Sequence, residues 1–154
     1  MSRFFLDTNS AGHCIFRRRG VDERAKQARL TGAKLGIAMP VKAELLAGVE
    51  YSATREKNLV IVNRSLKLFR IWPFTADAAR TYARLFAELR RAGRTIGAIE
   101  LMVAAIALSL GNCTVVSADG DFDAGTGITG RELGALMAWA YRGDRHPVTP
   151  GVGA

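Results

Sequence analysis

Asp7, Glu44, Glu100 and Asp119 are four carboxylates placed where the chain can gather them into one cleft, with Asp121 as a fifth candidate. Crowded carboxylates repel one another unless cations or helix N-termini offset their charge. Magnesium or manganese would supply that offset. Hard divalent ions take oxygen ligands, keep several waters and bind through few protein carboxylates plus substrate phosphate. They activate water for in-line attack at phosphorus and stabilise the leaving oxygen. Each acid also has an ordinary role open to it. Asp7 can cap a helix starting near Asn9, Glu44 can lie on a helix surface, and Asp119 can form a turn with Gly120. Glu100 falls in an otherwise apolar helix, where an unpaired buried charge is costly, so it is expected to have a partner. Asn9 and Ser117 read more simply as local backbone bonders.

The elements that must position these acids begin with Arg3 to Asn9, RFFLDTN. Its apolar run, Phe4 to Leu6, stops abruptly at Asp7. Unbroken apolar residues mark a strand covered on both faces, and open α/β sheets carry their reactive groups just past strand carboxyl ends. Helices are expected over Ser10 to Arg18 and Asp22 to Leu30, with Gly20 between them, and a second strand over Leu35 to Ala38. Pro40 suits a first helical turn. That helix runs to about Ala53 with Leu45, Leu46 and Val49 as its apolar face and Glu44 near its start. Another helix covers Thr54 to Phe69, and Ile71 and Trp72 form a short strand ended by Pro73. Thr75 then caps an amphipathic helix with an expected apolar face of Ala79, Tyr82, Ala83, Phe86 and Leu89 and a charged face of Arg80, Arg84, Glu88 and Arg91. Ile99 to Leu110 is apolar around nearly its whole circumference, apart from Glu100 and Ser109, and must be buried. Cys113 to Val116 is a β-branched final strand leading into Ser117 to Phe122, SADGDF.

Strands separated by helices favour right-handed crossovers and a parallel sheet covered on both faces, so the expected class is an α/β sandwich. The 154 residues, 49% hydrophobic and 23% charged, suit one domain over 1–142. Pro147, Pro150, Gly151 and Gly153 mark 143–154 as a flexible tail. No apolar run reaches the roughly 18 to 20 residues that span a bilayer, so a cytoplasmic protein without a membrane partner is expected. Cys14 and Cys113 form no CxxC pair and read as small buried thiols, and His13 and His146 are too isolated for a zinc site. The 22 Lys and Arg against 14 Asp and Glu leave a net charge of +8. Such a balance favours a polyanionic partner. Arg17 to Arg19 and Arg90, Arg91 and Arg94 are its densest runs. Each reads more simply as a solvated helix end, where cations complement the dipole of a helix C-terminus, than as a phosphate contact.

Taken together, LDTN at Leu6 to Asn9, AELLAGVE at Ala43 to Glu50, Pro73-Phe74, the Arg94 to Gly97 stretch and SADGDF at Ser117 to Phe122 resemble, in order and spacing, the PIN-domain ribonucleases and among them the VapC-type toxins. The resemblance implies a PIN-like α/β/α sandwich around a central, mostly parallel, short-stranded sheet. It also implies magnesium- or manganese-dependent endoribonuclease activity, an RNA substrate, a cognate antitoxin and a homodimer. By the same resemblance Asp7, Glu44, Glu100 and Asp119 take the acidic catalytic positions, with Asp7, Glu100 and Asp119 as metal ligands.

The match has departures. Glu100 stands where the resembling toxins usually carry Asp, Ser117 stands where Thr is common, and the last thirty or so residues match nothing in the pattern. Leu133, Leu136, Met137 and Trp139 to Tyr141 are expected to form an extra helix. The competing function is a catalytically silent PIN-like module that binds RNA or protein. A haloacid-dehalogenase-type phosphatase would need a second Asp two residues past Asp7, where Asn9 stands, and no G-x-G-x-x-G follows the first strand to support a nucleotide-binding Rossmann domain.

Overall fold

Phe4 to Leu6 do form a strand, and it lies at the middle of the sheet. The computed structural model describes residues 3–93, 95–111, 113–116 and the backbone of 128–129. Among these residues the elements run β1 (Arg3–Leu6), α1 (Thr8–Ile15), α2 (Val21–Leu30), β2 (Lys34–Ala38), α3 (Met39–Tyr51), α4 (Arg55–Leu66), β3 (Arg70–Trp72), α5 (Ala76–Arg91), α6 (Ala98–Leu110), β4 (Thr114–Val116) and β5 (Ile128–Thr129). The sheet order is β3-β2-β1-β4-β5. The first four strands pair in parallel, as helical crossovers require, with Leu6 opposite both Ile37 and Val116. This is the α/β/α arrangement expected from the sequence. The addition is β5, antiparallel to β4 at the sheet edge. Two residues are too few to show a strand period, so no pattern of residues marks it.

The centre of the core is Phe5, Leu6, Ile37, Val41, Val62 and Ile106, all fully buried. Phe5 on β1 stacks on Trp72 of β3, with ring centroids 5.1 Å apart and planes 13° apart. The two strands are separated by β2, and Gly36 of β2 pairs with Phe5 on one side and Arg70 on the other. A Cβ built at Gly36 would lie 2.5 Å from Cζ3 of Trp72, so the indole crosses β2 at the residue that has no side chain. The apolar circumference of α6 is buried as expected, through Leu101 and Val103 to Ala107.

Three expectations are corrected. The first helix starts at Thr8, because Asp7 caps it, and stops at Ile15 instead of Arg18, because Arg17 and Arg19 have positive φ. The expected inner face of α5 is only partly right: Leu89 is buried, but Ala79 and Ala83 are exposed and Phe86 is 42% exposed. The helix instead packs along α6 with Ala78 and Leu89 buried and Leu85 against the core. Its rings associate with one another, Phe74 edge-on to Tyr82 and Tyr82 stacked on Phe86, each pair 6.1 Å apart. Third, Glu100 is exposed, not enclosed. The SADGDF segment, Arg94, the helix expected around Leu133 to Tyr141 and the tail over 143–154 lie outside the described residues. Among the described residues no helix is long and apolar enough to cross a membrane.

Candidate active site

Asp7 is the first residue past β1, and its backbone N–H donates to the Val116 carbonyl at 3.0 Å, carrying the β1–β4 pairing one step beyond the strands. Its extended backbone, φ −71° and ψ 175°, is that of an N-cap. The carboxylate accepts from the Ser10 N–H at 2.7 Å through Oδ1. Asp7 therefore caps α1, the ordinary role open to it, and is half-buried at the carboxyl edge of the sheet. Capping and catalysis are compatible: helix N-terminal dipoles favour an ionised carboxylate there.

Glu44 is reached from the next strand. The β2 strand ends at Ala38 and α3 begins at once, with Pro40 in its first turn where a missing N–H costs nothing. Glu44 lies exposed on that helix, and the Thr8 hydroxyl donates to its Oε2. That bond ties the start of α1 to α3, one residue from Asp7. Sequence reasoning misses Thr8, although it lies within LDTN beside the first acid. The second acid of the same motif as Glu44, Glu50, is engaged elsewhere. The Arg55 guanidinium forks onto it at 2.6 and 2.8 Å and holds its carboxyl below the usual carboxylate range.

Glu100 is the third residue of α6, whose N-cap is Gly97. The helix spans 13 residues, about 20 Å at ~1.5 Å per residue, and leads into β4. Its first turn therefore stands at the edge where the parallel strands end. The Glu100 side chain folds back over its own cap, with Oε2 3.4 Å from where a Gly97 Cβ would be. The burial that the apolar helix implied begins only at Leu101, so Glu100 needs no buried partner: an acid in a first turn is favoured by the dipole alone.

Asp119, Asp121 and Ser117 lie outside the described residues. Val116, the last described residue before that segment, accepts the Asp7 N–H. Among the described residues no three His, Cys, Asp or Glu side chains stand close enough to hold a metal ion together. The donor chemistry of Asp7, Glu44 and Glu100 is all oxygen, which suits a hard divalent ion. Asn9 is exposed on α1.

Cys14 and Cys113 are free and buried, and burial pushes both thiols above their ordinary range, against the opposing pull of Arg29 on Cys14 and Arg3 on Cys113. Arg17, Arg18 and Arg19 are exposed after α1, and Arg90 and Arg91 are exposed at the end of α5. Arg90 places its guanidinium 5.0 Å from the Phe86 ring centroid.

Known proteins are similar to this chain in sequence and in fold. The tRNA(fMet)-specific endonuclease VapC of Salmonella typhimurium strain LT2 is 30% identical over 129 residues, 83% of this chain and 96% of that one. The protein of the same name from Shigella flexneri is 30% identical over 124 residues, 80% of this chain and 92% of that one. Among solved structures, DNA-bound VapBC from Salmonella typhimurium superposes with a TM-score of 0.69 at 28% identity, covering 77% of this chain and 88% of that chain. VapBC2 from Rickettsia felis, bound to a promoter DNA fragment, gives 0.67 at 26% identity, covering 73% and 84%. The PIN domain family model matches residues 4–126, from β1 to just short of β5, and the chain belongs to the PIN domain family.

Proposed function

We propose that this chain is the toxin of a toxin–antitoxin pair, an endoribonuclease that hydrolyses RNA phosphodiester bonds with magnesium or manganese. The observation that carries the reading is Asp7 at the end of the central strand, with Thr8 beside it holding Glu44. The reading is supported by the chain's membership of the PIN domain family and its alignment with VapC endonucleases over most of its length, and by the tendency of open α/β sheets to carry reactive groups at the carboxyl edge. Asp7 and Glu100, with Asp119, would hold the ion, and Glu44 would complete the acidic set. A bound ion supplies water activation at neutral pH and charge for the leaving oxygen. Magnesium commonly takes only one or two protein carboxylates plus substrate phosphate, so an incomplete protein cage fits that role. The chain's own part is to fix these oxygens: α1 orients Asp7 through Ser10, and Thr8 orients Glu44.

The partner proposed is a small antitoxin, because the structural neighbours are VapBC and FitAB complexes. A homodimer is the proposed unit, with the uncovered rings of Phe74 and Phe86 as apolar surface available to an interface. A cytoplasmic setting agrees with two free buried thiols. The second reading is a silent PIN-like module that binds RNA or protein without turnover. It is favoured by one observation, that Glu100 is exposed and folded over its own cap.

Brief expression followed by mapping of RNA ends tests the proposal. New ends at discrete sites, absent with Asp7→Asn, are expected. An unchanged pattern of ends from a folded, soluble chain would leave the silent module as the better reading.

A further inference from the structure

We infer that the turn between α1 and α2, Arg17 to Arg19, is a docking site for RNA backbone phosphate, a reading that rests on the ribonuclease function proposed above. The backbone of this turn is the reason. Arg17 has φ 53° and Arg19 φ 54°, and Gly20 follows at 67°. Among the described residues every other left-handed position is a glycine: Gly20, Gly32, Gly93 and Gly111. L-residues with a Cβ avoid this region, and where the side chain does not matter glycine or asparagine is preferred. Two arginines in such places mean that their side chains are worth the strain.

All three arginines are exposed, and among the described residues none of them forms an ion pair. The nearby acids, Asp22 and Glu23, sit in the first turn of α2, where they complement the helix dipole. The turn is held in shape from beneath. Arg18 N–H donates to the His13 carbonyl at 2.7 Å, and the Arg24 guanidinium donates to the Arg19 carbonyl at 2.7 Å. The Arg18 guanidinium lies 5.6 Å from the centroid of Phe16, itself packed on the core. A fixed turn loses less entropy on binding than a mobile one, and guanidinium forks match phosphate oxygens.

Position links the turn to the acids. Asp7 caps one end of α1 and the turn follows the other, 8 residues away. That length is about 12 Å at ~1.5 Å per residue. A single RNA strand crosses that length within a few nucleotides. A strand anchored at the arginines can thus lay a nearby phosphodiester at Asp7.

The test uses the full chain in an Asp7→Asn background, a labelled single-stranded RNA oligonucleotide and fluorescence anisotropy over a salt series. Arg17→Gly with Arg19→Gly should weaken binding about tenfold and flatten the log–log salt slope by about 1.4, at ~0.7 for each single-strand phosphate no longer neutralised. The melting temperature should hold or rise, because glycine accepts left-handed φ. Arg17→Asn with Arg19→Asn, which keeps a side chain in a tolerated conformation, should give the same loss and guards against a loosened turn. Unchanged affinity and slope in both pairs, with wild type still cleaving RNA, would overturn the docking site and leave the ribonuclease reading standing. A wild-type chain that neither binds nor cleaves RNA would overturn both.

Discussion

Asp7 caps a helix and is the proposed head of the acidic set, and the two roles separate by substitution. Asparagine is as good an N-cap as aspartate, whereas alanine forfeits the bond to Ser10 N–H. Asp7→Ala should therefore lose about 1 kcal/mol of stability in a denaturant melt. Asp7→Asn should melt like wild type. Glu100 calls for a different comparison. As an exposed first-turn acid it adds little to the fold, so Glu100→Gln should change stability by less than about 1 kcal/mol while removing most metal-dependent cleavage. Glu100→Asp is the sharper probe of the longer side chain. A misplacement of about 1 Å can cost on the order of a hundredfold in rate, so the shorter acid should change kcat measurably in one direction. Full activity and metal affinity in Glu100→Gln would reduce Glu100 to a helix-start acid. The cysteines make the last prediction at this scale. Thiols raised by burial present less thiolate at neutral pH, so Cys14 and Cys113 should resist iodoacetamide in the folded chain and react on unfolding.

Among the elements, α5 shows what a cap contributes and what a pattern hides. Thr75 accepts from Ala78 N–H at 3.2 Å, and Thr75→Ala should cost about 1 kcal/mol in a thermal or denaturant melt. The cap is legible in the sequence because its physics is local to four residues. The buried face is not, because helical period marks a stripe without saying which edge of it meets a neighbour. Ala78 and Leu89 are the buried residues of α5, which packs along α6, while Tyr82 and Phe86 stack on each other. The sequence pattern misplaces Glu100 for a similar reason. An apolar helix implies burial along its length, but its first turn stands at the wet sheet edge. Gly36 carries no sequence signal either, since its need arises from a ring on the neighbouring strand reaching toward β1. Gly36→Ala should destabilise by about 1 to 3 kcal/mol or more through overpacking against the Arg70 carbonyl and the Trp72 indole, with the melt as readout. The carboxyl end of β1, by contrast, is plain from an apolar run ending in one acid.

For the whole molecule, the parallel order β3-β2-β1-β4 brings the ends of β1 and β2 and the start of α6 to a single edge. The elements that carry acids far apart in sequence can be placed at one sheet edge from the sequence alone, because parallel topology leaves few alternatives. Their mutual distances cannot be read that way, since side-chain placement on α3 and α6 depends on packing. The net charge of +8, which already counts every acid, gives the same molecule long-range attraction for a polyanion such as the proposed RNA substrate. Binding and cleavage should therefore respond to different conditions, binding to salt and cleavage to metal. The most direct measurement is a magnesium and manganese titration of purified chain with end-labelled RNA, run beside Asp7→Asn and a chelator control. Cleavage that appears with metal in the wild type, vanishes with chelator and is absent in an Asp7→Asn chain of equal stability and equal RNA affinity is the predicted result. RNA bound but never cut by the wild type at any metal concentration, or cut at full rate by Asp7→Asn, would contradict it.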